Sequence, residues 1–221
     1  MKLYSKNDLE QLEKPFVEEN FNNTIGHEIL EGSIPVLVSA PHSVPQLREG
    51  KYKQPEYRTG VLAQILHNQL DCYTIYKTKN NNDDANYDPV SSYKNDAIKL
   101  INNHGIKFLI DLHIMSQNRE FHVDIGTARG RNINNDYKNI EKLIQIFHSN
   151  NIYQVEIDRI FTGAYPHTVS STIWKNCHIP AIQLEINWVL LDFDKGTRSF
   201  HFVLKSLMEY IEYLIQIDGG I

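Results

Sequence analysis

Three short apolar runs limit what this chain can fold into. Val36-Leu37-Val38, Phe108-Leu109-Ile110 and Ala181-Ile182 are too short for core helices and read as buried strands. Each leads into side chains that carry chemistry: Ser39-Ala40-Pro41-His42, Asp111-Leu112-His113 and Gln183-Leu184-Glu185. Side chains alternate along a strand, so Asp111 and His113 project to the same face. Imidazoles and carboxylates at the carboxyl ends of strands are the material of ligand and metal sites in α/β sheets. Whether the three ends meet decides what the chain can do.

The rest of the chain supplies helices between the strands. Residues 1–33 form a polar lead-in, where Pro15 predicts that any helix over 8–19 is short or broken. Residues 43–55 hold Pro45, Gly50 and Pro55 and read as a loop. A helix follows over 56–70, with Val61, Leu62, Ile65, Leu66 and Leu70 on one face and Pro55 at its start. Further strands are predicted over 72–78, 121–126, 152–157 and 179–187, and helices over 92–103, 137–150, 169–175 and 200–217. The Asn-rich run 80–88 and the stretch 161–167 are loops. This alternation predicts one α/β domain over residues 1–221, a three-layer αβα sandwich with a mostly parallel, mixed central sheet.

Composition removes several function classes. The chain of 221 residues has 22 basic and 27 acidic side chains, a formal net charge of −5, which argues against nucleic acid as a partner. No window of about twenty apolar residues is present to span a membrane, and the first twenty-five residues lack a signal-peptide core, so the expected location is the cytoplasm. Two cysteines, Cys72 and Cys177, are too few for a disulfide framework and are expected to be buried thiols. Of ten histidines, His27, His67, His104, His148, His178 and His201 are expected in surface or capping roles.

His42 and His113 differ, because both sit at the ends of apolar strands, and Glu185 stands at a third, where an unpaired carboxylate would be costly to bury. Zinc favours His nitrogen and carboxylate oxygen, and catalytic sites use three protein ligands. His42 and His113 supply two; the third must come from nearby.

The ordered motifs Ser39-Ala40-Pro41-His42-Ser43, Asp111-Leu112-His113, Asp124-Ile125-Gly126-Thr127 and Gln183-Leu184-Glu185-Ile186-Asn187 resemble the N-formylglutamate amidohydrolase family. Phe161-Thr162-Gly163-Ala164-Tyr165 is a weaker match. That family lies within the wider zinc carboxypeptidase and succinylglutamate desuccinylase-like group. The resemblance implies a phosphorylase/hydrolase-like fold and a zinc-dependent hydrolase cleaving an amide bond in a small N-acyl amino acid or short peptide. It implies His42 and His113 as zinc ligands. The group usually carries a Glu three residues after the first His, where this chain has Pro45. Glu49 and Glu56 remain, and Glu56 is favoured because it opens a helix and its carboxylate can turn back to the strand ends; its plain alternative is complementing the helix dipole.

Glu185 resembles the general base and acid of the group. Asp111 fits a support for a liganding His, or simply a buried cap of its strand. Related enzymes often carry an Asn-Arg pair in the loop after the second strand; here Ala85-Asn86-Tyr87-Asp88 keeps Asn86 and lacks the arginine. Arg48, Arg129 and Arg131 are candidate substitutes, Arg48 first, for gripping a substrate carboxylate. Tyr165 and His167 are candidate wall or proton-donor residues. Two other functions fit the same residues: a non-catalytic small-ligand-binding protein, and a zinc-dependent esterase or deacylase. The oligomeric state is open.

Overall fold

The computed structural model describes residues 1–218. In chain order the elements are α1 (Lys6–Val17), β1 (His27–Leu30), β2 (Ile34–Ala40), β3 (Gln46–Arg48), β4 (Lys51–Lys53), α2 (Tyr57–Leu70), β5 (Cys72–Lys77), α3 (Ser92–His104), β6 (Phe108–Met115), β7 (Val123–Gly126), α4 (Lys138–Ser149), β8 (Val155–Ile157), α5 (Val169–Cys177), β9 (Ala181–Asn187), α6 (Trp188–Leu191) and α7 (Arg198–Asp218). Seven strands form one sheet in the order β1-β5-β2-β6-β9-β7-β8. The four central strands β5, β2, β6 and β9 run parallel. β1 is antiparallel to β5, and β7 to β9, so the sheet is mixed.

Helices cover both faces. Side chains of α1, α2, α4 and α7 join one apolar cluster, built on Val36, Val38, Ile110, Leu112, Ile182 and Leu184 of the sheet. Those of α3 and α5 join a second, built on Leu37, Ile75, Leu109 and Ala181. Strands buried on both sides need apolar residues at nearly every position, which is why β2, β6 and β9 are legible as continuous runs. β9 is buried along its whole length. The polar residues tolerated inside these runs are therefore confined to the carboxyl ends.

The connections explain where those ends lead. From β2 the chain crosses to β5 on one side, then returns to β6 on the other. Such a reversal opens a crevice at the carboxyl ends of the strands. His42 follows β2 directly, and β6 carries His113 two residues before its end. β9 places Glu185 opposite His113 in register.

Three expectations are corrected. The lead-in is not loose: α1 is a regular helix of 12 residues that continues through Pro15. Ser5 and Asp8 form a reciprocal capping box at its start. Pro15 falls in the last turn, where little of the helical hydrogen-bond ladder lies beyond it. Leu9 and Phe16 are buried, and Phe16 packs edge-on against Tyr76 of β5. Nor are residues 43–55 all loop, since β3 and β4 pair as an antiparallel hairpin. Its tip residues Glu49 and Gly50 both have positive φ, at 51° and 73°, the twist a two-residue hairpin requires. His27 is also not a surface residue; it is buried, with Nε2 3.1 Å from Asp96 Oδ2. Both cysteines are free thiols, Cys72 buried and Cys177 half-buried. Among the described residues no helix is long and apolar enough to cross a membrane.

Arg58 ties the N-terminal helix to the body. It is 3% exposed on α2. Nε donates to Glu13 of α1 at 3.0 Å and Nη1 to the Leu191 carbonyl at 2.7 Å, with Asp192 and Asp194 beyond. The guanidinium lies 4.2 Å from the ring centre of Trp188 and 3.8 Å from that of Phe193. Removing one member of such a buried set leaves carboxylates uncompensated. Arg58→Met is expected to lower the unfolding free energy by about 3 kcal/mol, measured by urea denaturation.

Candidate metal centre and substrate cleft

The three strand ends meet. Glu56 joins two of them, those of β2 and β6. It occupies the N-cap position of α2 but makes no side-chain bond to its own helix, so it does not serve as a cap. Its backbone N–H donates to the His42 carbonyl at 2.8 Å, fixing it against the end of β2. Its carboxylate turns back over the sheet. Oε1 lies 3.0 Å from His42 Nδ1, and Oε2 lies 3.3 Å from His113 Nδ1 and accepts from the Ile114 N–H at 2.9 Å. Among the described residues, His42, Glu56 and His113 form a metal-capable group, with ligand atoms all within 4.8 Å of one another. Glu49, the other candidate, sits at the hairpin tip and bonds the Tyr87 hydroxyl instead.

The outward nitrogens of both imidazoles face carboxylates. His42 Nε2 is 2.9 Å from Asp84 Oδ1, and His113 Nε2 is 3.2 Å from Asp111 Oδ2. Asp84 and Asp111 are both fully buried. Each carboxylate favours a proton on Nε2, which leaves Nδ1 free to donate its lone pair inward. Carboxylate support of this kind fixes the ring orientation of metal-binding histidines. Two imidazole Nδ1 atoms and one carboxylate are a donor set that suits a borderline cation such as zinc, so the residues present fit a metal.

Without a metal the two imidazoles hold protons. Burial opposes the charge on His42, but Glu56 and Asp84 outweigh it and raise its pKa to about 9. Burial likewise opposes the His113 charge, and Asp111 and Glu56 raise its pKa well above the usual histidine value. Burial works against the Glu56 carboxylate too, yet the two imidazolium groups pull it down to about 2.

Glu185 stands beside this group without joining it. It is 7% exposed, and Gln183 Nε2 donates to its Oε1 at 2.9 Å. Burial pushes its carboxyl up to about 7, partly offset by His113 and reinforced by Glu56.

A cleft of about 700 Å³ opens onto these residues. Arg48, Asn86 and Tyr165, all expected from sequence, line it. Arg48 reaches in from the β3–β4 hairpin. Its Nε and Nη2 both donate to Asp84 Oδ2 at 2.8 Å, and its guanidinium lies 4.7 Å from the ring centre of Tyr87. Tyr87 in turn stacks on Tyr165 at 5.6 Å. Asn86 accepts from the Val169 N–H at 2.7 Å, and its amide nitrogen is 3.2 Å from His113 Nε2. His167 does not line the cleft; it packs edge-on behind Tyr165. Arg129 and Arg131 are not in the lining either, and Arg131 bonds Ser171 Oγ.

Two residues escape sequence reasoning. Asp84 lies in an Asn- and Asp-rich run, where an acid reads as a turn former. Its burial against His42 and Arg48 becomes visible only in three dimensions. Gln183 falls within the last of the ordered motifs, which assigns it no role. The usable signal was its spacing of two from Glu185 on one strand, which puts both side chains on one face.

No family model matches this chain, and no curated protein matches it by sequence. Solved structures do resemble it in fold. A gene product of Agrobacterium tumefaciens aligns with a TM-score of 0.56 at 12% identity, covering 86% of this chain and 96% of the other. A bacteriophage poly-gamma-glutamate hydrolase aligns at 0.54 and 13% identity, covering 90% and 95%. A metallo-carboxypeptidase from Burkholderia cenocepacia aligns at 0.53 and 11% identity, covering 96% and 70%. At these identities the likeness is one of fold.

Two expectations follow. At pH 7 the metal-free chain carries charged imidazoles, so metal binding must expel protons. Zinc is expected to release about one to two protons, measured by calorimetry in buffers of differing ionisation enthalpy, and its affinity should rise as pH approaches 9. Asp84→Ala, which removes the support of His42, should weaken metal affinity by about 10- to 100-fold in chelator competition.

Proposed function

We propose that this chain is a zinc-dependent hydrolase that cleaves an amide bond in a small N-acyl amino acid or short peptide. The observation that carries the reading is the meeting of His42, Glu56 and His113 with a buried carboxylate, Glu185, in register beside His113. His42, Glu56 and His113 would hold the metal. The poly-gamma-glutamate hydrolase and the metallo-carboxypeptidase of similar fold both bear names of amide-cleaving enzymes, which supports the reading. Within this class, the motif resemblance favours an N-acyl amino acid, with the side chain of that amino acid left open.

When bound, zinc supplies Lewis acidity that polarises a carbonyl and makes water more acidic. The other roles belong to the protein. Glu185 accepts the proton of the attacking water and returns it to the departing amine. Its carboxyl titrates near neutrality, where a group that takes and gives back a proton works best. Gln183 holds the Glu185 carboxylate through its amide N–H, limiting its rotation. Asp84 and Asp111 keep the two imidazoles in the ligand orientation. Arg48 takes the place of the arginine absent beside Asn86 and pairs with a substrate carboxylate. Its fork is preset by Asp84 and by stacking on Tyr87, so little side-chain freedom is lost on binding.

Glu185→Gln is the test of mechanism. The variant should bind zinc as the native chain does and lose activity by roughly 100- to 10,000-fold. Normal turnover by this variant would remove Glu185 as the base. His113→Ala should instead purify with less than about 0.2 equivalents of zinc by elemental analysis.

A further inference from the structure

The Gln183 carboxamide is only half used. Its Nε2 donates to Glu185, but its Oε1 has no hydrogen-bond partner among the described residues. The side chain is 5% exposed, yet it lines the cleft. A buried amide oxygen without a donor costs about 1–3 kcal/mol, so native structures seldom keep one. Its orientation is set by Glu185, which takes the NH₂ end and leaves the carbonyl end facing away as an acceptor.

Gln183 stands at the inner wall of the cleft. Gln183 pairs with Asp111 in β6, whereas Glu185 pairs with His113, so Gln183 lies one pleat deeper than the catalytic layer. Its other neighbour in the sheet is Gly126, which has no side chain. A Cβ at Gly126 would fall 2.4 Å from the Phe161 carbonyl, so glycine there lets the 161–165 loop close against the sheet as a wall. On that wall, Gly163 faces Gln183; a Cβ at 163 would lie 3.2 Å from Ser170 Oγ and 3.7 Å from Gln183 Oε1, so glycine leaves the space of about one methyl group beside the amide.

We infer that Gln183 Oε1 is the floor of a specificity pocket that accepts an uncharged N–H donor, a primary carboxamide, at the end of a substrate side chain. The inference deepens the amide-hydrolase reading and rests on it. A neutral donor fits better than a cation. A buried cation needs a counter-charge. Asp111 is already engaged by the Ser39 hydroxyl at 2.7 Å and by His113, and Glu185 is committed to the reaction. A carboxylate would set acceptor against acceptor, and a thioether would leave Oε1 unpaired.

The test compares N-acetyl-L-glutamine, N-acetyl-L-glutamate and N-acetyl-L-methionine on the full zinc-loaded chain. Isothermal titration calorimetry reads affinity for a compound that is not turned over and initial rate for one that is. The glutamine compound should exceed the other two by on the order of 10- to 100-fold, in kcat/KM or in affinity. In Gln183→Met that ratio should fall to within about threefold of unity, whatever the absolute rates. Overall loss of activity in the variant, from a less ordered Glu185, does not affect the ratio. Equal handling by the native chain, or a preference that survives in the variant, overturns the inference while any hydrolysis leaves the amide-hydrolase reading intact. Selective binding without hydrolysis of any of the three upholds the pocket and counts against that reading. Neither binding nor hydrolysis overturns both.

Discussion

The site depends on one carboxylate. Glu56 places one oxygen on each of two imidazoles from different strands and takes a backbone N–H of β6 as well. It belongs to none of the strands it joins. It reaches them because the chain after β2 makes a hairpin and then enters α2 with Glu56 at the helix start, its amide bonded back to the His42 carbonyl. Without that return, β2 and β6 would present two separate histidines. An anion against two imidazolium groups, in a place where all three are shielded from water, is a strong interaction in a low local dielectric. It is also an unstable arrangement to leave uncompensated, since each member needs the other two and the carboxylates behind them. A metal cation would replace the protons that now satisfy this charge set.

Asp84 and Asp111 show how the sheet pre-forms that replacement. Both are fully buried, and each accepts from a partner other than its histidine: Arg48 for Asp84, Ser39 for Asp111. Their oxygens therefore cannot swing inward to compete for the cation. The same Asp84 carboxylate serves the proposed substrate arginine through one oxygen and His42 through the other. On the proposed reading, substrate grip and metal grip would share an anchor, and a shift of the Asn-rich loop would disturb both together.

What could be read from sequence follows the same physics. β2, β6 and β9 are legible because burial on both faces demands unbroken apolar runs, and a histidine or glutamate at the end of such a run stands out. Glu56 stands out over Glu49 because it opens a helix, from whose first turn a carboxylate can reach back to the strand ends. β1 was not, because His27-Glu28-Ile29-Leu30 is a half-buried edge strand with no clear alternation. α1 was hidden by Pro15, which weighs heavily in mid-helix and little in a last turn. Asp84 was hidden by its neighbours, since Asn and Asp runs signal turns whatever else they do. His167 was over-read: nearness in sequence to Tyr165 does not put both side chains on the cleft side of a loop.

Gln183 carries this argument one step further. Motif reading treats it as part of a strand that delivers Glu185, and its amide does serve that end. An amide, however, has two ends, and in a buried place both need partners. A leucine or methionine would have filled the same volume at no polar cost, though without holding Glu185. A serine or threonine could have bonded Glu185 without carrying a second, unpaired acceptor into the cleft. The desolvation of Oε1 is offset only if something donates to it, and within the described chain nothing does. On the inference drawn above, that donor comes from a molecule in the cleft, and the unpaired carbonyl end of Gln183 selects an uncharged N–H.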